Sequence, residues 1–356
     1  MTVNTAPTAP VTPVATMSDP NHLLEVKNLK KHFPILRGIF STVKGIVKAV
    51  DDVSFFIHKG ETLGLVGESG CGKTTIGRCI VRAYPPTNGK LLYQLVNLSA
   101  VDLGKLPEKE AGPFRRDIRM IFQDPYSSLN PRMTVFEVVS EVLRVNRICP
   151  KSEMQDRVEA LLKQVGLRPE YMQRYPHAFS GGERQRIGVA RALITNPRLV
   201  ICDEAVSALD VSIRAQILNL LEELQSDYNL TYLFISHDLS VIRHICDRIV
   251  VMYVGKVVEV SDALDLYINP RHPYTEALLS SVPLAEPEGR EERSRIHLQG
   301  EIADPSNPPS GCYFNPRCRF AQEHCQSFEP QLRDMGDNHF VACHFAEQMS
   351  LRGVIH

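Results

Sequence analysis

Four apolar runs stand out because they are continuous where alternation would mark a half-exposed strand. Thr62-Leu63-Gly64-Leu65-Val66 is followed by a glycine-rich stretch and then by Ile76 to Val81. Arg198 to Cys202 ends in Asp203-Glu204, Tyr232 to Ile235 ends in Ser236-His237-Asp238, and the run at Met120-Ile121-Phe122 ends in Gln123-Asp124-Pro125. Unbroken hydrophobicity suits strands covered on both faces, as in a parallel sheet. Alternation is confined to Leu24-Glu25-Val26, Leu29 to Phe33 and Val47 to Phe55, with Pro34 to Ile46 interrupting. These predict short antiparallel strands forming a small β layer. Ile249 to Val260, turning at Gly255, predicts a closing hairpin. Helical spacing governs Val158, Leu161, Leu162 and Val165, with a capping box at Ser152 and Gln155, a stop at Gly166 and Pro169 beyond. Ser180 predicts a helix start running to about Ile194, and an amphipathic helix follows from about Ile213 to Leu224. The fold class is α/β.

Composition narrows the setting. The 356 residues are enough for a full core and more than one unit, and 43% of them are apolar. A formal net charge of −1 gives no basic field for nucleic acid, so no nucleic-acid partner is expected. No apolar run reaches the ~18 residues that a membrane helix needs. Met1 to Pro20 is rich in Thr, Pro, Ala and Val without the basic start of a signal peptide, and it reads as a disordered tail. Cytoplasmic placement is then the default, and the nine cysteines argue against a disulfide framework.

The chemistry centres on Gly67-Glu68-Ser69-Gly70-Cys71-Gly72-Lys73-Thr74-Thr75, which fits the G-x-x-x-x-G-K-[ST] phosphate loop between strand and helix. Its glycines let the backbone curl until successive N–H groups converge on anionic oxygens. Lys73 is placed to reach the β- and γ-phosphates of ATP, and the Thr74 hydroxyl to ligate Mg²⁺. Cys71, at a helix N-terminus, is expected to have a lowered thiol pKa. Asp203 and Glu204 close a buried strand, where the first suits Mg²⁺ and the second a general base for water. His237 ends a further strand, where it suits the γ-phosphate. Gln123 ends another and suits Mg²⁺ or water. Phe33 is a candidate platform for adenine, against an ordinary core role. Ser180, Gly181 and Gly182 begin a second helix suited to anions. Two phosphate-directed helix starts about a hundred residues apart exceed what one nucleotide needs from one chain, and so predict a dimer with shared sites.

From Leu23 to Val260 this order of motifs resembles an ABC-type ATPase cassette. Gly67–Thr75 matches its Walker A loop, Gln123 its Q-loop and Phe179–Glu183 its signature, with Phe179 standing where Leu is usual and Glu183 where Gln is usual. Leu199–Glu204 matches Walker B, Ser207–Asp210 the D-loop and His237 the switch histidine. Three further features are similar to the ATP-binding subunits of peptide and nickel importers. They are His32-Phe33-Pro34-Ile35 with its insertion, Gln123 to Pro131, and His272-Pro273-Tyr274-Thr275-Glu276-Ala277-Leu278-Leu279. The resemblance implies a RecA-like P-loop core with an antiparallel β layer and a helical subdomain at about 124–190. It divides the chain into a tail at 1–21, a cassette at 22–262 and an extension at 263–356. It implies an ATPase at the cytoplasmic face of the membrane, paired with a second ABC ATPase (a paralogue), beneath two membrane permeases fed by an extracytoplasmic solute-binding protein. Nickel chelates and other small solutes stay open beside dipeptides and oligopeptides. A repair or translation ATPase is disfavoured because no second cassette, coiled coil or basic arm is present.

The extension is rich in Pro and charge, including Glu286 to Arg295, and carries Cys312, Cys318, Cys325 and Cys343. The spacing C-x₅-C-x₆-C-x₁₇-C does not fit paired C-x₂-C zinc knuckles. A [4Fe–4S] cluster, a structural zinc and unligated thiols all remain open from the spacing. The resemblance implies the cluster, with a structural or redox-sensing role.

Overall fold

The computed structural model describes residues 16–37, 42–282 and 296–354. Most of the expected tail and all of Glu286 to Arg295 lie outside the described residues. By compactness the described chain divides into one unit of residues 16–23, 58–61 and 93–235, and another of 24–57, 62–92 and 236–354. No described helix is long and apolar enough to cross a membrane.

The unit that carries the phosphate loop is built on Thr62–Val66, in which all five residues are buried. This strand runs parallel to Arg248–Tyr253, with Leu63 opposite Arg248 and Val66 opposite Val251. Lys256–Asp262 returns antiparallel through Val254 and Gly255, whose φ values of 40° and 78° make the left-handed two-residue turn that suits hairpin twist. The hairpin predicted around Gly255 is therefore present. Two short strands of the extension, Phe340–Val341 and Arg333–Asp334, continue the sheet antiparallel beyond Lys256–Asp262. Near them the buried His339 ring bonds Glu259 and Asp265, each at 2.7 Å, and ties the extension to the cassette.

Thr42–His58, His22–Arg37 and Asn88–Gln94 lie side by side in a second sheet. The interruption expected over Pro34 to Ile46 is narrower than predicted, because His22–Arg37 runs through Pro34 and Thr42–His58 begins before Ile46; residues 38–41 lie outside the described residues. The short alternating segments arise instead from two left-handed residues, Asn28 at φ 48° and Asp52 at φ 67°. The Asn28 amide donates to the Asp52 carboxylate at 3.1 Å, and the Asn28 N–H donates to Ser54 Oγ at 2.8 Å. Side-chain bonds thus carry both strands across a phase change that in the sequence reads as an end.

The other unit holds the parallel trio Ile118–Ile121, Leu199–Asp203 and Thr231–Ser236. Met120 lies opposite Ile201, and Ile201 opposite Leu233. Leu199–Asp203 and Thr231–Ser236 are buried along their whole lengths, as their unbroken hydrophobicity predicted. At the base of the trio, Arg198 donates to Asp117 from Nε at 2.9 Å and from its terminal nitrogen at 2.6 Å, and the Tyr93 hydroxyl donates to the same carboxylate. Val135–Val145, Lys151–Gln164 and Gly181–Leu193 supply the helices. The capping box expected at Ser152 and Gln155 is absent. Lys151–Gln164 starts directly after Pro150, whose φ of −65° already sets the helix entry, so both residues sit inside the first turns. A true capping box occurs at Thr134 and Glu137.

Candidate functional site

Thr62–Val66 delivers the chain to a loop whose backbone is fixed by close neighbours. Gly67 has φ 150°, and a Cβ there would lie 2.2 Å from the Met252 carbonyl oxygen. Gly72 has φ 108°, and a Cβ would lie 2.1 Å from the Ala49 carbonyl oxygen. Neither contact is tolerable, so only glycine permits this curl. Helix Lys73–Ile80 begins at Gly72 without any side-chain cap, which leaves its first N–H groups facing the loop. Ser69 and Gly70 are exposed at the loop's crest, and Thr74 and Thr75 are half-buried behind it. Lys73 is only 5% exposed, and its ammonium donates to the carbonyls of Gly67 at 2.7 Å and Glu68 at 3.0 Å. The result is a positive charge folded over a nest of backbone donors, a receptor for a polyphosphate.

Cys71 departs from expectation. Burial pushes its thiol up from the ordinary value, and the Lys73 ammonium only partly offsets this. The helix start does not lower it, because the side chain is only 3% exposed and loss of water outweighs the helix start.

Phe33 is half-buried, packing edge-on against Tyr84 at 5.5 Å, with the Lys31 ammonium 4.8 Å above its ring. His237 is exposed just beyond Thr231–Ser236.

In the other unit, two of the expected residues meet. Gln123, exposed beyond Ile118–Ile121, donates its amide to the Glu204 carboxylate at 2.6 Å. Glu204 sits just past Leu199–Asp203 at φ 47°, a left-handed conformation uncommon for a side chain of this size. Its N–H donates to the Ile235 carbonyl at 2.9 Å, and its own carbonyl accepts from Ser207 Oγ at 2.9 Å. The turn is therefore over-determined, and it presents a carboxylate at the end of a buried strand. Asp203 beside it is 4% exposed.

The helix Gly181–Leu193 is capped by Ser180, which accepts from the Glu183 N–H while its own N–H donates to the Glu183 carboxylate at 2.9 Å. Glutamate serves this box as well as glutamine does, which gives the unusual residue at 183 a reason. Phe179 is buried against Tyr171 with ring centres 5.4 Å apart, a core role that leucine fills equally. Gly182 is enforced by packing, since a Cβ would lie 2.5 Å from Ile213 Cγ2.

None of the nine cysteines is joined in a disulfide. Cys312, Cys318, Cys325 and Cys343, scattered over 32 positions of sequence, line one cavity together with Phe314 and His344. Burial pushes Cys312 up to about 12 and Cys343 up to about 11, and it raises Cys318 as well. Among the described residues no three His, Cys, Asp or Glu side chains are arranged to hold a single metal ion.

Two residues that the sequence did not connect with the phosphate loop, Tyr274 and Arg317, also belong to its surroundings. The Glu68 N–H donates to the Tyr274 hydroxyl at 2.9 Å, and Arg317 donates two bonds to the Glu68 carboxylate, at 2.7 and 3.1 Å. Their partners lie 206 and 249 positions away, beyond any local pattern.

Comparison with known proteins agrees with this geometry. Residues 50–207 match the family described as "ABC transporter", and residues 258–325 match "Oligopeptide/dipeptide transporter, C-terminal region". The chain is 52% identical over 329 residues to the oligopeptide transport ATP-binding protein AppF of Bacillus subtilis, covering 92% of this chain and 99% of that protein. It is 47% identical over 334 residues to the dipeptide transport ATP-binding protein DppF of Escherichia coli, covering 94% and 97% respectively. Among solved structures it is similar to the dimeric post-hydrolysis ATP-binding cassette MJ0796 bound to ADP and Pi. That match has 28% identity and a TM-score of 0.59, and covers 67% of this chain and 98% of the other.

Proposed function

The chain belongs to the ABC transporter ATPase family, and we propose that it is the ATP-hydrolysing subunit of an importer for dipeptides or oligopeptides. One observation carries the substrate class. The likeness does not stop at the cassette but continues through residues 258–325, the region by which peptide transporters of this family are described. The partners on this reading are a paralogous ATPase, two membrane permeases and an extracytoplasmic binding protein, with the chain held peripherally at the cytoplasmic face.

In the mechanism we propose, the triphosphate enters the nest of Gly67 to Thr75, where Lys73 exchanges carbonyl partners for β- and γ-phosphate oxygens. Thr74, Asp203 and Gln123 are the residues to hold Mg²⁺, which supplies charge neutralisation at the phosphates. Glu204 orients and deprotonates the attacking water, and its bond to Gln123 keeps the carboxylate aimed until nucleotide arrives. His237 contacts the γ-phosphate, and Phe33 lies against adenine. Ser180, Gly181 and Gly182 act across a dimer seam on a partner's nucleotide. Their role follows from a second anion-suited helix start that one chain's own ATP does not require.

Uptake of a labelled dipeptide by cells carrying the full transporter tests this reading. Loss of uptake when Lys73 and Glu204 are both replaced, in a strain whose companion ATPase is likewise disabled, is the expected result. Undiminished uptake would rule the role out.

We propose that the four thiols of the extension hold a [4Fe–4S] cluster. All four line a common, largely apolar cavity, which is where such a group would sit. When bound, the cluster supplies a covalent cross-link and a one-electron redox group. Cys312, Cys318, Cys325 and Cys343 are the residues that would hold it, and burial makes the thiols of Cys312, Cys318 and Cys343 poor nucleophiles without it. Anaerobically purified protein should be brown and carry about four irons per chain, both lost in Cys318→Ser. Colourless, zinc-loaded protein overturns the assignment.

A further inference from the structure

The phosphate loop contains a carboxylate that the proposed chemistry does not use. Glu68 stands between Gly67 and Ser69, where a tetra-anionic ligand approaches, and a free carboxylate there would repel it. It is not free. Arg317 grips it with two bonds, at 2.7 and 3.1 Å, and the Arg317 side chain is only 7% exposed. Tyr274, fully buried, takes the Glu68 N–H at 2.9 Å.

Both clamping residues are themselves rigidly held. The Tyr274 ring packs against Tyr253 at 4.8 Å and against Phe314 at 5.4 Å. Arg317 ends the turn Asn315–Arg317, with its guanidinium 5.8 Å above the Tyr253 ring. That turn is fixed by Asn315, whose side chain donates to the carbonyls of Ser310 and Cys312, and by the Cys312 N–H, which donates to the Cys325 carbonyl at 2.8 Å. A Cβ on Gly311 would fall 2.3 Å from that same carbonyl, so the two strands of chain meet at closest approach.

We infer that Arg317 and Tyr274 are positioning residues for nucleotide binding: the C-terminal region completes the phosphate loop by cancelling the charge of Glu68 and fixing its backbone. The loop is therefore not autonomous within the cassette. Its affinity for ATP is set in part by a segment about 250 residues further along the chain. The inference rests on Gly67–Thr75 being the ATP loop, and the controls separate the two.

Affinity of the full chain for a fluorescent, non-hydrolysable ATP analogue with Mg²⁺ is the readout, with thermal melting as the check on folding. If the wild-type chain shows no saturable binding that Lys73→Ala removes, the loop assignment itself fails. Given wild-type binding, Arg317→Ala should weaken affinity by about tenfold or more, because it leaves an uncompensated carboxylate. Adding Glu68→Gln to Arg317→Ala should recover at least half of that loss on a logarithmic scale. A purely structural brace would show no such recovery, since the double variant still lacks the arginine. Affinity that Arg317→Ala leaves less than about tenfold reduced, or a smaller recovery in the double variant, overturns the inference. Should Arg317→Ala fail to fold, Glu68→Gln alone decides. Unchanged or tighter binding supports charge cancellation, and weakened binding refutes it.

Discussion

Glu204→Gln is expected to slow steady-state ATP hydrolysis by roughly 10²–10⁴-fold while ATP binding persists. The substitution is close to isosteric. The tether of the residue's N–H to the Ile235 carbonyl and its φ of 47° belong to the backbone and survive the change. What is lost is the base. A glutamine amide cannot take a proton from water, and its hydrogen bond with Gln123, now 2.6 Å to a carboxylate, loses its charge. Stability should move by no more than about 0.5 kcal/mol, so a collapse in turnover cannot be blamed on unfolding. Phosphate release at saturating ATP, beside analogue binding, makes the measurement. Turnover at the wild-type rate would remove Glu204 from the chemistry.

Gly72→Ala should abolish useful nucleotide binding, with an affinity loss of roughly 10²-fold or more, the scale on which an ångström of misplacement acts. The new methyl would lie 2.1 Å from the Ala49 carbonyl oxygen, which is backbone and cannot rotate aside. Loop or strand must shift, and the N–H groups at the start of Lys73–Ile80 shift with them. Gly70 is the informative contrast. Its φ of 81° is also left-handed, yet a Cβ there meets nothing within 4 Å. In the nucleotide-free chain, Gly70→Ala should therefore lower stability only by the backbone strain of about 1–2 kcal/mol, and Gly72→Ala by more. Equal melting temperatures for the two variants would show that the Ala49 contact yields easily.

What could be read from the sequence was local. The phosphate loop, the paired carboxylates and the Ser180 helix start each need particular residues in consecutive positions, because the backbone itself does the binding or carries the side chain to a strand end. The buried parallel strands were equally plain, since a strand covered on both faces has no polar positions to hide it. Three features were not legible, each for a definite reason. Asn28 and Asp52 let strands continue through a break in alternation by bonding across it. Pro150 overrode a plausible cap at Ser152 because its fixed φ starts the helix first. The arginine and tyrosine on Glu68 answer to a contact across most of the chain, which no window of sequence contains. Cys71 misled in another way: position along the helix suggested an acidic thiol, but removal from water dominates.

The two short C-terminal strands have a consequence for truncated forms. Lys256–Asp262 would otherwise end its sheet with a row of unpaired backbone groups over largely buried Val257 to Ser261, an open template for another chain. Phe340–Val341 occupies that row, and the outermost position falls to Arg333–Asp334, two exposed charged residues too brief to recruit a neighbour. A chain cut before Arg333 would bare a sticky seam. Its self-association in solution would then reflect lost edge protection and not any failure of the nucleotide fold.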